Sequence, residues 1–285
     1  MSFHRSPNVY VDHVRLKVRD LDRSVRFYRE IIGFSVLARE GNTASLTADG
    51  KRALITLEQP ENAAPKPAGT TGLYHFALLL PSREDLAQIV LHFAERNVPL
   101  GSADHLVSEA LYLNDPDGNG IEIYRDRDPS EWQWRGKEVH MTVDPLDFRG
   151  LLSGVRKRPW NKLPDGTIIG HIHLHVSRLD EAETFYADGL GFDVVNRYGG
   201  HALFLSSGQY HHHIGLNTWQ GIGAPPPPEN SVGLREFTLV YPDRQARSRA
   251  AGRLRALGAE VGESDGALLA VDPSGNRIRL ETGGH

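Results

Sequence analysis

The chain of 285 residues contains no cysteine and only two methionines. Disulfides, thiolate nucleophiles and thiolate metal sites are therefore excluded, and few side chains are easily oxidised. The lack of cysteine fits a cytoplasmic setting. No apolar run approaches the length of a membrane span, and the first residues, MSFHRSPNVYVDH, have no apolar signal-peptide core. The 32 Lys and Arg against 36 Asp and Glu give a formal charge of −4. There is no basic block of the kind that holds nucleic acid. What the chain does have is histidine, 14 in all.

It also repeats itself. His13 to Phe34 reads HVRLKVRDLDRSVRFYREIIGF and His171 to Phe192 reads HIHLHVSRLDEAETFYADGLGF, at a constant offset of 158 residues. Gly72 to Phe76 (GLYHF) has its counterpart in Gly233 to Phe237 (GLREF), and Asp115 to Asn119 (DPDGN) in Asp272 to Asn276 (DPSGN). Such repetition sets the architecture ahead of any local pattern. The copies agree in scaffold residues and differ at histidines and carboxylates, so those positions mark the candidate site.

Val9–Val18 alternates apolar and polar residues and is predicted as a strand. Asp22 is placed to cap the helix that follows, in which Val25, Phe27, Tyr28, Ile31 and Ile32 recur at helical spacing. Gly33 ends that helix. Three more strands are predicted near Ser35–Arg39, Thr43–Ala48 and Ala53–Glu58, so the unit is βαβββ. The same pattern fits Gly72–Tyr124, with a helix near Arg83–Arg96, then Ile168–Asn217 and Gly233–Glu281. Pro-bearing spacers, Gln59–Thr71 and Thr218–Val232 with Pro225–Pro228, join the units within each half. The predicted class is α+β, with four βαβββ modules in two similar halves, residues 1–128 and 168–285. The connection, 129–167, is long enough to carry structure. A short helix near Leu146–Val155 is expected there, with Trp132, Trp134 and Trp160 packing across the halves.

Four such units resemble the vicinal oxygen chelate superfamily (glyoxalases, bleomycin-resistance proteins and dioxygenases) over almost the whole chain. The resemblance implies that modules pair into open, curved β-barrels around a divalent metal held by their first and last strands. The matching first-strand positions are His13, His75, His171 and Glu236. On the last strands of modules two and four stand Glu122 and Arg279, each seven residues after the Asp of its turn. Module two is thus intact, and module four has lost both ligand types. Two imidazoles and a carboxylate leave half of an octahedral metal open, as in non-haem iron(II) oxygenases. The implied metal ligands are His75 and Glu122, with His171 favoured over His13 as the third. His171, His173 and His175 share one face of a strand. A row of inward imidazoles is hard to satisfy in an apolar core, but a polar cavity satisfies it.

Two stretches resemble ring-cleaving extradiol dioxygenases in particular. Their signature of a His, a Tyr, a D-P-x-G turn and the metal-binding Glu is matched by His105, Tyr112, Asp115–Gly118 and Glu122, although Ala103 stands where Gly or one of a small group of other residues is usual. Tyr210-His211-His212-His213-Ile214 resembles the R-H-H-T-L-A strand, whose second His is the acid–base residue. That role falls by position to His212, whose ordinary pKa near ~6.5 suits proton transfer at neutral pH. Tyr112 is expected to hydrogen-bond a substrate oxygen, and His105 to support it. In two-domain extradiol enzymes the intact modules are the third and fourth, whereas here they are the second and third.

The resemblance thus implies a catechol 2,3-dioxygenase-like enzyme using Fe(II), or alternatively Mn(II), on a small aromatic diol and O2. Two other readings stay open. One is a glyoxalase-I-like lyase or isomerase with Zn(II) or Ni(II) on His13, Glu58, His75 and Glu122. The other is a protein that only binds a small ligand in its cavity. Nucleic acid and membrane are not expected partners, and sheet edges leave room for a homo-oligomer.

Overall fold

The computed structural model describes residues 3–264 and 266–283. Module one comprises β1 (Tyr10–Lys17), α1 (Leu21–Phe27), β2 (Ser35–Glu40), β3 (Thr43–Thr47) and β4 (Ile55–Glu58). Module two comprises β5 (Gly72–Leu79), α2 (Arg83–Glu95), β6 (Gly101–Asp104), β7 (Ser108–Asn114) and β8 (Gly120–Asp126). The connection holds a short hairpin, β9 (Trp134–Arg135) and β10 (Glu138–Val139), and α3 (Phe148–Leu152). Module three follows with β11 (Ile168–His175), α4 (Leu179–Glu183), β12 (Asp193–Tyr198), β13 (Ala202–Ser206) and β14 (Ile214–Asn217). Module four has β15 (Gly233–Tyr241), α5 (Arg244–Ala256), β16 (Val261–Ser264), β17 (Ala267–Val271) and β18 (Arg277–Thr282). None of these helices is long and apolar enough to cross a membrane.

Local chemistry explains the element ends. Asp20, not Asp22, caps α1, accepting the Arg23 N–H at 2.9 Å. Asp20 has the extended backbone that a cap needs, whereas Asp22 lies inside the first turn and pairs with Arg39. Gly33 closes the helical segment with φ of +104°, a conformation that suits glycine. A Cβ there would also meet the Trp160 ring nitrogen at 2.8 Å. The Trp160 N–H donates to the Ile32 carbonyl at 3.1 Å, so this tryptophan seals the end of the helix. Trp132 stacks with Phe3 and meets Tyr210 and His211 of module three.

The sheets do not follow the halves of the sequence. Modules one and four share one eight-stranded sheet, and modules two and three share the other. The junctions are antiparallel first strands, β1 against β15 and β5 against β11. The repeat runs along the sequence, yet each curled sheet takes one module from each half of the chain. Equivalent bonds tie the modules within a half. Tyr28 O–H donates to Asp115 at 3.0 Å, and Tyr186 O–H donates to Asp272 at 3.0 Å. A shared core of apolar residues runs through both sheets, with Tyr28, Phe76, Phe93, Tyr186 and Phe237 fully buried. Each such side chain contributes roughly 1.5–3 kcal/mol of burial. That holds the first strands, which carry the candidate ligands, in fixed register.

Candidate metal centre

Each module runs its first strand parallel to its last, and in module two Ala77 lies opposite Glu122. Side chains alternate with period two, so His75 and Glu122 share a face of the sheet. The junction with β11 sets His173 opposite His75 and brings His171 to the same place. Glu122 Oε2 lies 3.0 Å from His75 Nε2 and 3.0 Å from His171 Nε2, and the two nitrogens are 3.4 Å apart. Ligands about 2.1 Å from one ion and at right angles to one another stand about 3 Å apart. The donor triangle therefore fits one face of an octahedral ion with little movement. Two imidazoles and a carboxylate suit a borderline divalent metal. Among the described residues this is the one cluster of His, Asp and Glu whose ligand atoms all converge within 4.8 Å.

All three side chains are buried. Burial alone would raise the Glu122 carboxyl, but the charge and hydrogen bonds of His171, joined by His75, outweigh it. The group is held well below the usual carboxylate range. Burial pulls His171 down to about 4 against the pull of Glu122, so the ring keeps a lone pair for a metal at neutral pH. Its Nδ1 is buried without a hydrogen-bond partner.

A cavity of about 350 Å³ opens over His75 and Glu122. His105, Tyr112, His173 and His212 reach it, with Phe204, Tyr74, Tyr198 and Trp219 among its aromatic walls. The Thr142 carbonyl accepts from His105 Nδ1 at 2.7 Å, so Nε2 is left to accept the Tyr112 O–H at 2.6 Å. Burial first, and the nearby Glu122 second, push the Tyr112 phenol well above its ordinary value. It remains a hydroxyl, with its oxygen still able to accept.

Of the three histidines after Tyr210, the cavity takes His212. His211 Nε2 is bound to Asp126 at 2.7 Å, and His213 Nδ1 accepts the Ser207 N–H at 3.2 Å. The His212 ring lies 4.1 Å from that of His171. Its expected ordinary pKa does not hold in the folded chain. Burial, followed by the neighbouring His171, His211 and His173, lowers it well below 6.5. Two members of the row on β11 are tied to Asn217, whose amide donates to His173 Nε2 at 3.0 Å and accepts from His175 Nδ1 at 2.7 Å. Gly215 makes room for it, since a Cβ there would lie 2.8 Å from the His173 ring.

The remaining sequence candidates sit in the other sheet. His13 hydrogen-bonds Thr56 Oγ1 at 2.9 Å. Arg15 lies opposite Thr56 in β4, as Ala77 lies opposite Glu122, so Thr56 and not Glu58 occupies the carboxylate position of module one. Glu58 pairs instead with Arg15 at 2.9 Å. The four-ligand set of His13, Glu58, His75 and Glu122 is therefore divided between two sheets, which removes it as a single centre. Sequence reasoning missed Asp126 and Asn217. Each stands an even number of residues from a site position on its own strand, Glu122 and Gly215, and that parity was the available signal.

The family model for the Glyoxalase/Bleomycin resistance protein/Dioxygenase superfamily matches residues 10–123 and 168–280. The chain is 47% identical over 270 residues to the catechol-2,3-dioxygenase of Bacillus subtilis (strain 168), covering 93% of this chain and 94% of that one. Among solved structures, a candidate dioxygenase from Bacillus subtilis subsp. subtilis str. 168 shares the fold with a TM-score of 0.68 at 15% identity, covering 96% of this chain and 84% of that one. Glyoxalase I from Zea mays does so with a TM-score of 0.57 at 15% identity, covering 95% and 92%.

Proposed function

Because the chain belongs to the glyoxalase, bleomycin-resistance and dioxygenase superfamily, we propose that its His75–Glu122–His171 centre holds iron(II) and serves ring cleavage. The enzyme is an extradiol, catechol 2,3-dioxygenase-type oxidoreductase that places both atoms of O2 in the product. The substrate in this reading is catechol or a substituted catechol, and the product is of the hydroxymuconic semialdehyde type. The observation that carries it is the donor triangle of two imidazoles and one carboxylate beneath a cavity reached by His212, Tyr112 and His105.

When bound, the metal supplies Lewis acidity toward the diol oxygens and, as iron, the one-electron chemistry that dioxygen requires. The protein's own residues do the rest. Glu122 contributes one negative charge and the two imidazoles none, which leaves the centre cationic toward a diol anion. His212 is placed to take a hydroxyl proton. Its depressed basicity means that it holds that proton chiefly while an anion lies beside it, and returns it afterwards. Tyr112 Oη accepts from, or holds, a substrate oxygen while His105 fixes its hydroxyl. Phe204 and Trp219 cover the apolar ring and limit water.

Anaerobic purification with metal analysis, followed by oxygen uptake on catechol, tests the proposal. Iron at about one per chain, uptake of one O2 per catechol and a yellow product are expected. Manganese with the same stoichiometry would change the metal and keep the reaction. Zinc or nickel with no oxygen uptake would overturn it.

A further inference from the structure

Behind His212 a chain of hydrogen bonds leads away from the cavity, and the ring-cleavage chemistry above makes no use of it. His212 Nδ1 lies 2.9 Å from His211 Nδ1, and His211 Nε2 lies 2.7 Å from Asp126 Oδ1. From the other side Tyr210 O–H donates to Asp126 at 3.0 Å, and the Tyr124 hydroxyl lies 2.6 Å from that of Tyr210. His211 and Tyr210 are fully buried. Gly170 leaves the space that this chain occupies, since a Cβ there would fall 1.8 Å from the Tyr124 oxygen. A carboxylate only accepts. Asp126 therefore takes the His211 Nε2–H, and His211, as a neutral imidazole, presents its bare Nδ1. Among the described residues, the donor within reach of that Nδ1 is the Nδ1–H of His212. The nitrogen left over on His212 is Nε2, with its lone pair free.

We propose that Asp126 and His211 are positioning residues that fix the tautomer and orientation of His212, so that its bare Nε2 serves the cavity. An imidazole outside such a chain divides its hydrogen between both nitrogens and turns about its side-chain bond. Held as here, it offers one acceptor in one direction, as the buried carboxylate does for the histidine of hydrolase triads. The inference deepens the acid–base role given to His212 and rests on it for its catalytic meaning. The tautomer itself does not depend on that role.

The test has two arms. Nitrogen-15 NMR of the full-length, zinc-loaded protein should show His212 with a pyrrole-type Nδ1 and a pyridine-type Nε2. A pyrrole-type Nε2 in the unsubstituted protein overturns the proposal, whatever the variants do. In the second arm, His211→Phe and Asp126→Asn should lower kcat by roughly 10²-fold with KM within about threefold. Asp126→Glu should recover most of that loss, which a simple packing defect would not allow. An unchanged kcat in His211→Phe also overturns it. If His212→Phe proves as active as the parent, the acid–base reading fails, while the NMR result decides the tautomer separately.

Discussion

The two sheets are built from the same four-strand modules, yet one gathers a metal-type centre and the other an ion-pair network. In the sheet of modules two and three, equivalent positions carry His75, Glu122, His171 and Gly215. In the sheet of modules one and four they carry His13, Thr56, Glu236 and Arg279. There His13 is tied to Thr56, Arg15 to Glu58, and Arg279 reaches Glu281 at 3.2 Å and Glu236 at 3.9 Å. Backbone and register are shared, so the difference lies in side chains. A cation at Arg279 replaces the carboxylate that an ion requires, and neighbouring glutamates neutralise it. One sheet can hold a divalent ion, and in the other the equivalent positions pair with neighbouring side chains.

The sharpest way to break this contrast is to remove His171 and His13 in turn. His171→Ala is expected to abolish metal retention and bring turnover to background, while His13→Ala leaves both within about twofold. Metal analysis and oxygen uptake on the same preparations decide it, and the reverse result would move the centre to the other sheet. Next in size, His212→Phe should retain the metal but lower turnover by ~10²–10⁴-fold, the scale of a lost acid–base group. Loss of metal in that variant would instead make His212 a ligand.

A third experiment sharpens the contrast by building the missing centre. Glu236→His with Arg279→Glu restores the His75 and Glu122 identities in module four. Zinc titration should then rise from one toward two equivalents per chain. If it stays at one, something beyond these two side chains closes that sheet to metal.

Acid stability compares the sheets from another side. Burial, aided by Arg15 and Arg279, lowers His13 to about 4, and burial lowers His171 and His175 to about 4. Between pH ~6.5, the ordinary histidine value, and 4, the unfolded chain therefore binds more protons than the native one. Stability of the metal-free protein must fall as pH falls through that window. His13→Gln should flatten the slope by up to one proton, read from urea midpoints at several pH values. An unchanged slope would mean that His13 titrates normally. The smallest effect is expected at the cavity mouth. Trp219→Ala should raise KM for catechol a few-fold and leave metal content unchanged, and an unchanged KM would remove Trp219 from substrate contact.

Much of this was legible before any coordinates. The repeat at 158 residues, the βαβββ order and the Asp-Pro turns are local patterns, and each appears in the fold where its residues predict it. His75 and Glu122 were legible as a pair because strand period and turn length fix their relation within one module. Three features were not. The cap at Asp20 depended on which of two nearby aspartates keeps an extended backbone. Thr56, rather than Glu58, took the carboxylate position because the register of β1 with β4 is a pairing and not a spacing. The depressed basicity of His212 came from burial and from being enclosed by His171 and His173 of β11 and by His211 in the loop before β14, groups far apart in the chain.

The sequence by itself determined the four modules and the residue types each brings to its inner face, since these follow from periodicity and turn chemistry over some tens of residues. Only the tertiary structure decided which modules share a sheet, and hence that His171 and not His13 stands beside Glu122. All four first strands offer similar edges, so nothing local distinguishes their partners. The choice is made by long-range packing, where β5 meets β11, β1 meets β15, and one core fills the space between.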